Sequence, residues 1–291
     1  MRVGLLTRNS KAWCSRQLIE SFHKRNVDVV CFSFADLTAR VGLTPVADLD
    51  GRDLKCELDA LLVRPIGRGS LEEIIFRMNL LQTLARSGLP VINSPSSIEK
   101  AADKYNTLAI LAEQGIHVPK TMVTENVGKA MSAFKALGGD VIIKPIFGSR
   151  GIGSARISNA DVAERVFRTL RFNRQVLYIQ EYIDHGTSDI RAFVVGDSVV
   201  AAMRRVANSW KTNVSLGAKA VPTKLPRDLE ELAVKTARVI GCEIAGVDLI
   251  DKAPQPTVLE INSQPGWRGL QTTTDRRISD LIADLVISRG R

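Results

Sequence analysis

At 291 residues, 45% hydrophobic and 24% charged, the chain has a globular composition with length for one large or two to three small domains. No run approaches the roughly 18 apolar residues of a membrane span, and the opening MRVGLLTRNS lacks the apolar stretch of a signal peptide, so the expected location is cytoplasmic with no membrane partner. A formal net charge of +9 favours anionic partners, but the basic residues are dispersed, so charge does not choose among nucleotide phosphates, an acidic acceptor and nucleic acid.

RVGLLT (2–7), an amphipathic stretch over about 15–24 and VDVVCFS (27–33) predict strand, helix, strand, the opening of a parallel α/β unit. ALLVRPIG (60–67) is a further apolar strand ending at Arg64 and Pro65, followed by a helix over LEEIIFRMNLLQTLARSG and a short strand PVIN. In NSPSSIEKAADKYNTLAILAEQGIHVPKT, Ser96 or Ser97 caps a helix that breaks near Asp103, placing Lys104 at the start of a second unit. From 121 to about 184 the pattern is helix, strand, a glycine run, strand, helix, strand. DIRAFVVGDSVVAAMRRVA then predicts a hairpin turning at Gly196 and Asp197. A helix over RDLEELAVKTARVIGC, strands IAGVDLI and TVLEIN, and a terminal helix follow. The expected class is α/β and α+β: an N-terminal parallel α/β domain over 1–95, a central segment over 96–184 that includes a small α+β lid unit, and a C-terminal domain over 185–291.

The glycine run GSRGIGS lies between two strands, so it fits neither a dinucleotide fingerprint, which opens a helix, nor a P-loop, which ends in GK[ST]. Taken alone it reads as a turn. Lys144, inside the apolar strand VIIKPI, either snorkels to solvent or meets an anion, because burying its charge alone is costly. Asp248, Glu260 and Asn262 stand on apolar strands; 260 and 262 share one face, and 248 can reach it from a neighbouring strand. Two carboxylates and an amide carbonyl suit magnesium ions bridging nucleotide phosphates. LYIQEYI presents Gln180, Glu181, Tyr182 and Ile183 at a strand exit, where backbone groups can meet a purine edge. Asp189, Arg191, Arg204, Arg205, Lys211 and Asn213 add a basic and polar series fitted to carboxylates and phosphates.

Cys14, Cys31, Cys56 and Cys242 are widely separated and expected to be free, buried or half-buried thiols, and His23, His117 and His185 form no ligand cluster. Aromatic residues make up 5% of the chain, which argues against nucleic acid as the partner of the positive charge.

Taken in order, NSPSSIEKAADKYNTLAILAEQGIHVPKT, VIIKPIFGSRGIGS, YIQEYI, DIRAFVVGDSVVAAMRR, KTNVSLGAKA, AGVDLI and LEINSQPG resemble the ATP-grasp ligases, specifically the RimK-like α-L-glutamate ligases. The resemblance covers nearly the whole chain and implies an ATP-grasp fold behind the N-terminal domain. It implies that Lys104 and Lys144 contact ATP phosphates. Gly148, Ser149, Arg150, Gly151, Ile152, Gly153 and Ser154 would form the loop over them, and Gln180, Glu181, Tyr182 and Ile183 the adenine and ribose pocket. Asp248, Glu260 and Asn262 match a site for two magnesium or manganese ions. Lys144, Arg205 and Asn213 match positions that handle phosphate and the acyl intermediate. Asp189 and Arg204 are placed beside the nucleotide, and Arg64, Arg191 and Lys211 beside the acceptor or amino acid. The implied reaction is ADP-forming: a substrate carboxylate is phosphorylated and the amino group of L-glutamate displaces phosphate. The acceptor would be a carboxylated cofactor such as a tetrahydromethanopterin-type pterin, or a protein tail or amino-group carrier protein. GAKA stands where the ribosomal-protein-modifying enzyme is richer in glycine, which points away from the ribosomal acceptor. A homo-oligomer is a further expectation from the resemblance.

Overall fold

A computed structural model describes residues 1–148, 151–252 and 255–290. A parallel four-stranded sheet opens the chain, in the spatial order Asp28–Phe32, Arg2–Leu6, Ala60–Val63, Val91–Ile92. Both faces are covered, as continuous apolar strands require. Val3, Leu5 and Leu62 pack with helices Trp13–His23 and Ile278–Arg289, while Leu6, Leu61 and Val63 pack on helix Leu71–Arg86 from the other side. Ser70 and Glu73 close a capping box at the start of Leu71–Arg86. The strand expected over 60–67 stops at Val63, so Arg64 leaves the sheet at its C-terminal edge.

Two short helices lead on. Ser94, not Ser96 or Ser97, caps Pro95–Ala102, because Pro95 takes the first helical position, where a missing N–H costs nothing. Asp103 does break the run, accepting from the Tyr105 and Asn106 amides at the start of Lys104–Glu113.

The central unit is an antiparallel sheet in the order Ala155–Ile157, Val141–Lys144, Leu177–Glu181, Thr121–Thr124. Strand Thr121–Thr124 was not expected: four residues carry too little periodicity to register. Helices Val127–Ala136 and Ala160–Phe172 cover one face, over Val141, Ile143, Ile157, Leu177 and Ile179. Alternation therefore turns Ile142, Lys144, Tyr178 and Gln180 to the opposite face. The glycine run joins Val141–Lys144 to Ala155–Ile157 as a hairpin, as expected.

A five-stranded antiparallel sheet follows, in the order Lys219–Pro222, Ser198–Val206, Ser188–Val195, Ile244–Ile250, Thr257–Asn262. Its hairpin turns at Gly196 and Asp197. Helix Arg227–Ile240 packs on one face through Leu229, Ala233, Ala237 and Ile240. Along the other face, Phe193, Val195 and Ile244 join Trp267 and helix Ile278–Arg289, so that helix lies between the two sheets. No helix among the described residues is long and apolar enough to cross a membrane. Cys56 is exposed, contrary to expectation, because the short helix Leu54–Glu57 buries Leu54 and turns the next two residues outward.

Asn93, 1% exposed, fastens the N-terminal sheet to the large one. Its amide nitrogen donates to the Ile244 carbonyl (2.7 Å) and the Ser263 carbonyl (2.5 Å), and its oxygen accepts from the Glu243 and Ile244 amides, both at 2.8 Å. Asn93→Ala is expected to lower stability by about 3 kcal/mol, since each orphaned buried group costs roughly 1 kcal/mol or more. Urea unfolding checks this, and an unchanged midpoint would show that another contact holds the junction.

Candidate active site

The cleft lies between the open face of the central sheet and the ionic end of the large sheet. Lys144 Nζ donates to Gln180 Oε1 at 2.7 Å, and Gln180 Nε2 donates to Thr121 Oγ1 and Tyr178 Oη at 2.9 and 3.1 Å. The oriented amide thus offers the lysine only a neutral acceptor. Burial lowers the Lys144 pKa, with Glu260 opposing that shift. Lys104 approaches from the second linker helix, donating to the Gly148 carbonyl at 2.7 Å, with Glu260 at 3.7 Å.

On the large sheet, cross-strand register places Asp189 opposite Arg205 and Arg191 opposite Asp248. Arg205 donates to both Asp189 oxygens (2.7 and 2.5 Å) and lies 3.1 Å from Asp248, while Arg191 grips both oxygens of Asp248. Burial alone would raise the Asp248 pKa, but Arg191 and Arg205 outweigh it and hold the carboxyl below its ordinary value. Burial likewise opposes the Arg205 charge, and Asp248 and Asp189 overturn it, raising that pKa. These aspartates and arginines balance one another. Of the other charged residues lining the cleft, Lys104, Lys144 and Lys211 outnumber Glu181 and Glu260, a surplus suited to an anion.

Glu260 stands directly opposite Asp248 across the two strands, and Asn262 opposite Gly246. Among the described residues no three His, Cys, Asp or Glu side chains gather as a metal site. Asp248 and Glu260, with the Asn262 amide two residues along the strand, nevertheless have the hard oxygen chemistry that magnesium takes. Binding there would require Asp248 to share or exchange its arginine partners.

The glycine hairpin is held from the side by the loop after Ser198–Val206. Lys211 Nζ donates to the Ser154 carbonyl at 2.7 Å. Gly151 has φ +70°, a conformation that favours glycine, and a Cβ there would lie 2.5 Å from Asn213 Oδ1, so a larger residue would have to displace that side chain. Ile152, Glu181, Tyr182 and Ile183 also line the cleft, while Gly153 packs against Pro145, which lines it. Ser149 and Arg150 lie outside the described residues.

Four expected side chains do not line the cleft wall. Arg204 turns to an exposed pair with Asp251, Arg191 sits behind Asp248, Asn262 lies farther along its strand, and Arg64 is buried at the junction with the N-terminal sheet. Conversely, Thr212, whose hydroxyl donates to Asp189 at 2.6 Å, and His185 were not foreseen as cleft residues. Tyr178, which does not line the cleft but whose hydroxyl accepts from Gln180, was recoverable, since it shares the alternating face of Gln180; nothing local marks Thr212.

The profile of the RimK-like ATP-grasp domain matches residues 101–286. The tetrahydromethanopterin:alpha-L-glutamate ligase of Methanosarcina acetivorans is 31% identical, covering 92% of this chain and 93% of the relative. A probable alpha-L-glutamate ligase of Rhodopirellula baltica is 37% identical, covering 98% and 70% respectively. Among solved structures, the ATP-grasp ligase PsnB, complexed with a phosphomimetic variant of its minimal precursor, Mg and ADP, superposes with a TM-score of 0.75 at 20% identity, over 99% of this chain and 98% of that one. With these likenesses and the two-sheet cleft, the chain belongs to the RimK-like ATP-grasp family and is an ATP-dependent ligase.

Proposed function

We propose that the chain joins the amino group of L-glutamate to a carboxylate of a small cofactor, a tetrahydromethanopterin-type pterin, through an acyl phosphate. The observation that carries the ligase chemistry is the pair Lys104 and Lys144, converging on the cleft opposite Asp248 and Glu260 with backbone and amide oxygens as their hydrogen-bond acceptors. That is an arrangement for triphosphate. The pterin is favoured by the Methanosarcina tetrahydromethanopterin:alpha-L-glutamate ligase, which matches over nearly the whole of both chains.

In this reading a carboxylate oxygen of the acceptor attacks the γ-phosphorus of ATP, forming a P–O bond as the bond to ADP breaks. The glutamate nitrogen then attacks the acyl carbon, loses its proton and expels phosphate, leaving an amide. Lys104 and Lys144 hold the phosphates, and Arg205 neutralises charge on the group being transferred. Asn213 orients the amine or acyl group. Asp248, Glu260 and Asn262 would hold magnesium, which supplies charge neutralisation between phosphate oxygens. Gln180 to Ile183 would border the purine. Catalysis here is positioning and electrostatics, with no enzyme nucleophile.

Incubation with ATP, magnesium, L-glutamate and, separately, a tetrahydromethanopterin-type pterin or a protein-tail peptide tests the acceptor by intact mass. The expected result is a glutamyl addition to the pterin; addition to the peptide alone would replace this acceptor.

A further inference from the structure

The ammonium group of Lys144 is a donor with no acceptor capacity, so whatever side chain it meets must present an oxygen. An amide does not ensure this by itself. The two ends of the Gln180 amide are alike in shape, and turned through half a circle about its last bond it would offer Lys144 an N–H in place of the carbonyl. A neighbour has to fix its direction.

The register of the central sheet supplies the candidates. Thr121 stands directly opposite Gln180 on one side and Lys144 opposite Tyr178 on the other, so these four side chains share the open face. The Thr121 hydroxyl donates its proton to the Pro119 carbonyl at 2.9 Å. Toward Gln180 it can therefore only accept, as it does from Nε2 at 2.9 Å. That leaves Oε1 of the same amide for Lys144 Nζ, at 2.7 Å. Polarity thus runs one way, from a backbone carbonyl through hydroxyl and amide to the ammonium. Tyr178 cannot do this. Its hydroxyl also accepts from Gln180 Nε2, at 3.1 Å, but burial raises its pKa, and a neutral phenol serves either amide orientation by accepting or donating. Gln180 is 2% exposed, so bulk water does not satisfy the amide in its place.

We infer that Thr121 is a positioning residue: by directing its proton to Pro119 it holds the Gln180 amide with the oxygen toward Lys144, and so holds the lysine where it meets nucleotide phosphate. The inference deepens the ligase reading and rests on its assignment of Lys144 to the phosphates. Reversing the amide would break the Pro119 bond and set an N–H against the ammonium, displacing the lysine from its place in the cleft.

The test uses the full chain and two probes titrated by calorimetry with magnesium present: a non-hydrolysable ATP analogue, and adenosine, which carries the base without the phosphates. Thr121→Val, matched in shape but lacking the hydroxyl, is expected to weaken binding of the analogue about fivefold, the loss of one neutral hydrogen bond. Adenosine should bind it as it binds the wild type. Thr121→Ser keeps the hydroxyl and should bind the analogue within about twofold of the wild type. In a Lys144→Met background, Thr121→Val should weaken the analogue no further, because the residue it acts through is gone. Three results would overturn the proposal: parallel losses for analogue and adenosine, wild-type analogue binding by a folded Thr121→Val, or an equal loss in the Lys144→Met background. Each leaves Thr121 as a packing residue of an edge strand. If Thr121→Val does not fold, Thr121→Ala makes the same comparison. Wild-type analogue binding by Lys144→Met alone would instead take the lysine out of the phosphate site, and the reading on which this inference rests would fall with it.

Discussion

Lys144→Met is expected to lower ATP-dependent ligation by about 10²–10³-fold, the usual loss when one charge-stabilising donor leaves a water-excluded site. The same substitution should leave thermal stability equal or higher. Lys144 is forced toward neutrality by burial, and its hydrogen-bond acceptor is the uncharged Gln180 oxygen. Methionine keeps the length of the stem without a charge to desolvate. A lysine serving the fold alone would show the reverse pattern, with stability lost and turnover kept. Paired measurements of melting temperature and ADP release distinguish the two, and retained turnover in Lys144→Met would remove this lysine from the phosphate site.

Asp248→Asn is expected to damage both properties. Arg205 keeps Asp189 as a partner, but Arg191 has no second carboxylate within ion-pairing distance among the described residues. A guanidinium whose side chain is 15% exposed, stripped of its counter-charge, costs about 2 kcal/mol, which denaturant unfolding would detect. Glu260→Gln supplies the contrast. Its side chain is 35% exposed, so stability should move by no more than about 0.5 kcal/mol, while ligation falls about 10²-fold as a charged oxygen facing the phosphates is lost. Equal stability losses in the two variants would show that the Arg191 pair is not what holds Asp248 in place.

Much of this site could be read from short-range pattern. The position of Lys144 one residue after Ile143 in an apolar strand already turns it away from the core. The placement of 260 and 262 on one face follows from the strand period. Asp103 between two helical runs marks Lys104 as the first residue of the second helix. Short elements were harder: Thr121–Thr124 and Lys219–Pro222 extend sheets by four residues each, too few for alternation to stand out from a loop.

Partnerships were another matter. The run DIRAF shows an aspartate and an arginine on one strand face, yet not that Asp189 meets Arg205 while Arg191 meets Asp248. Those choices depend on which strands are neighbours and in what register: Asp189 and Arg205 face each other across a hairpin whose register shifts between Phe193 and Val194, and Arg191 meets Asp248 across 57 residues. Arg64 is the extreme case, meeting Pro265 across 201 residues. Sequence by itself determined the strands, the faces and the set of charged groups offered to the cleft, because side-chain direction follows the local backbone period. Tertiary structure alone decided which charges cancel and which remain free to meet a substrate, because a buried charge is satisfied only by groups that packing brings within a few ångströms.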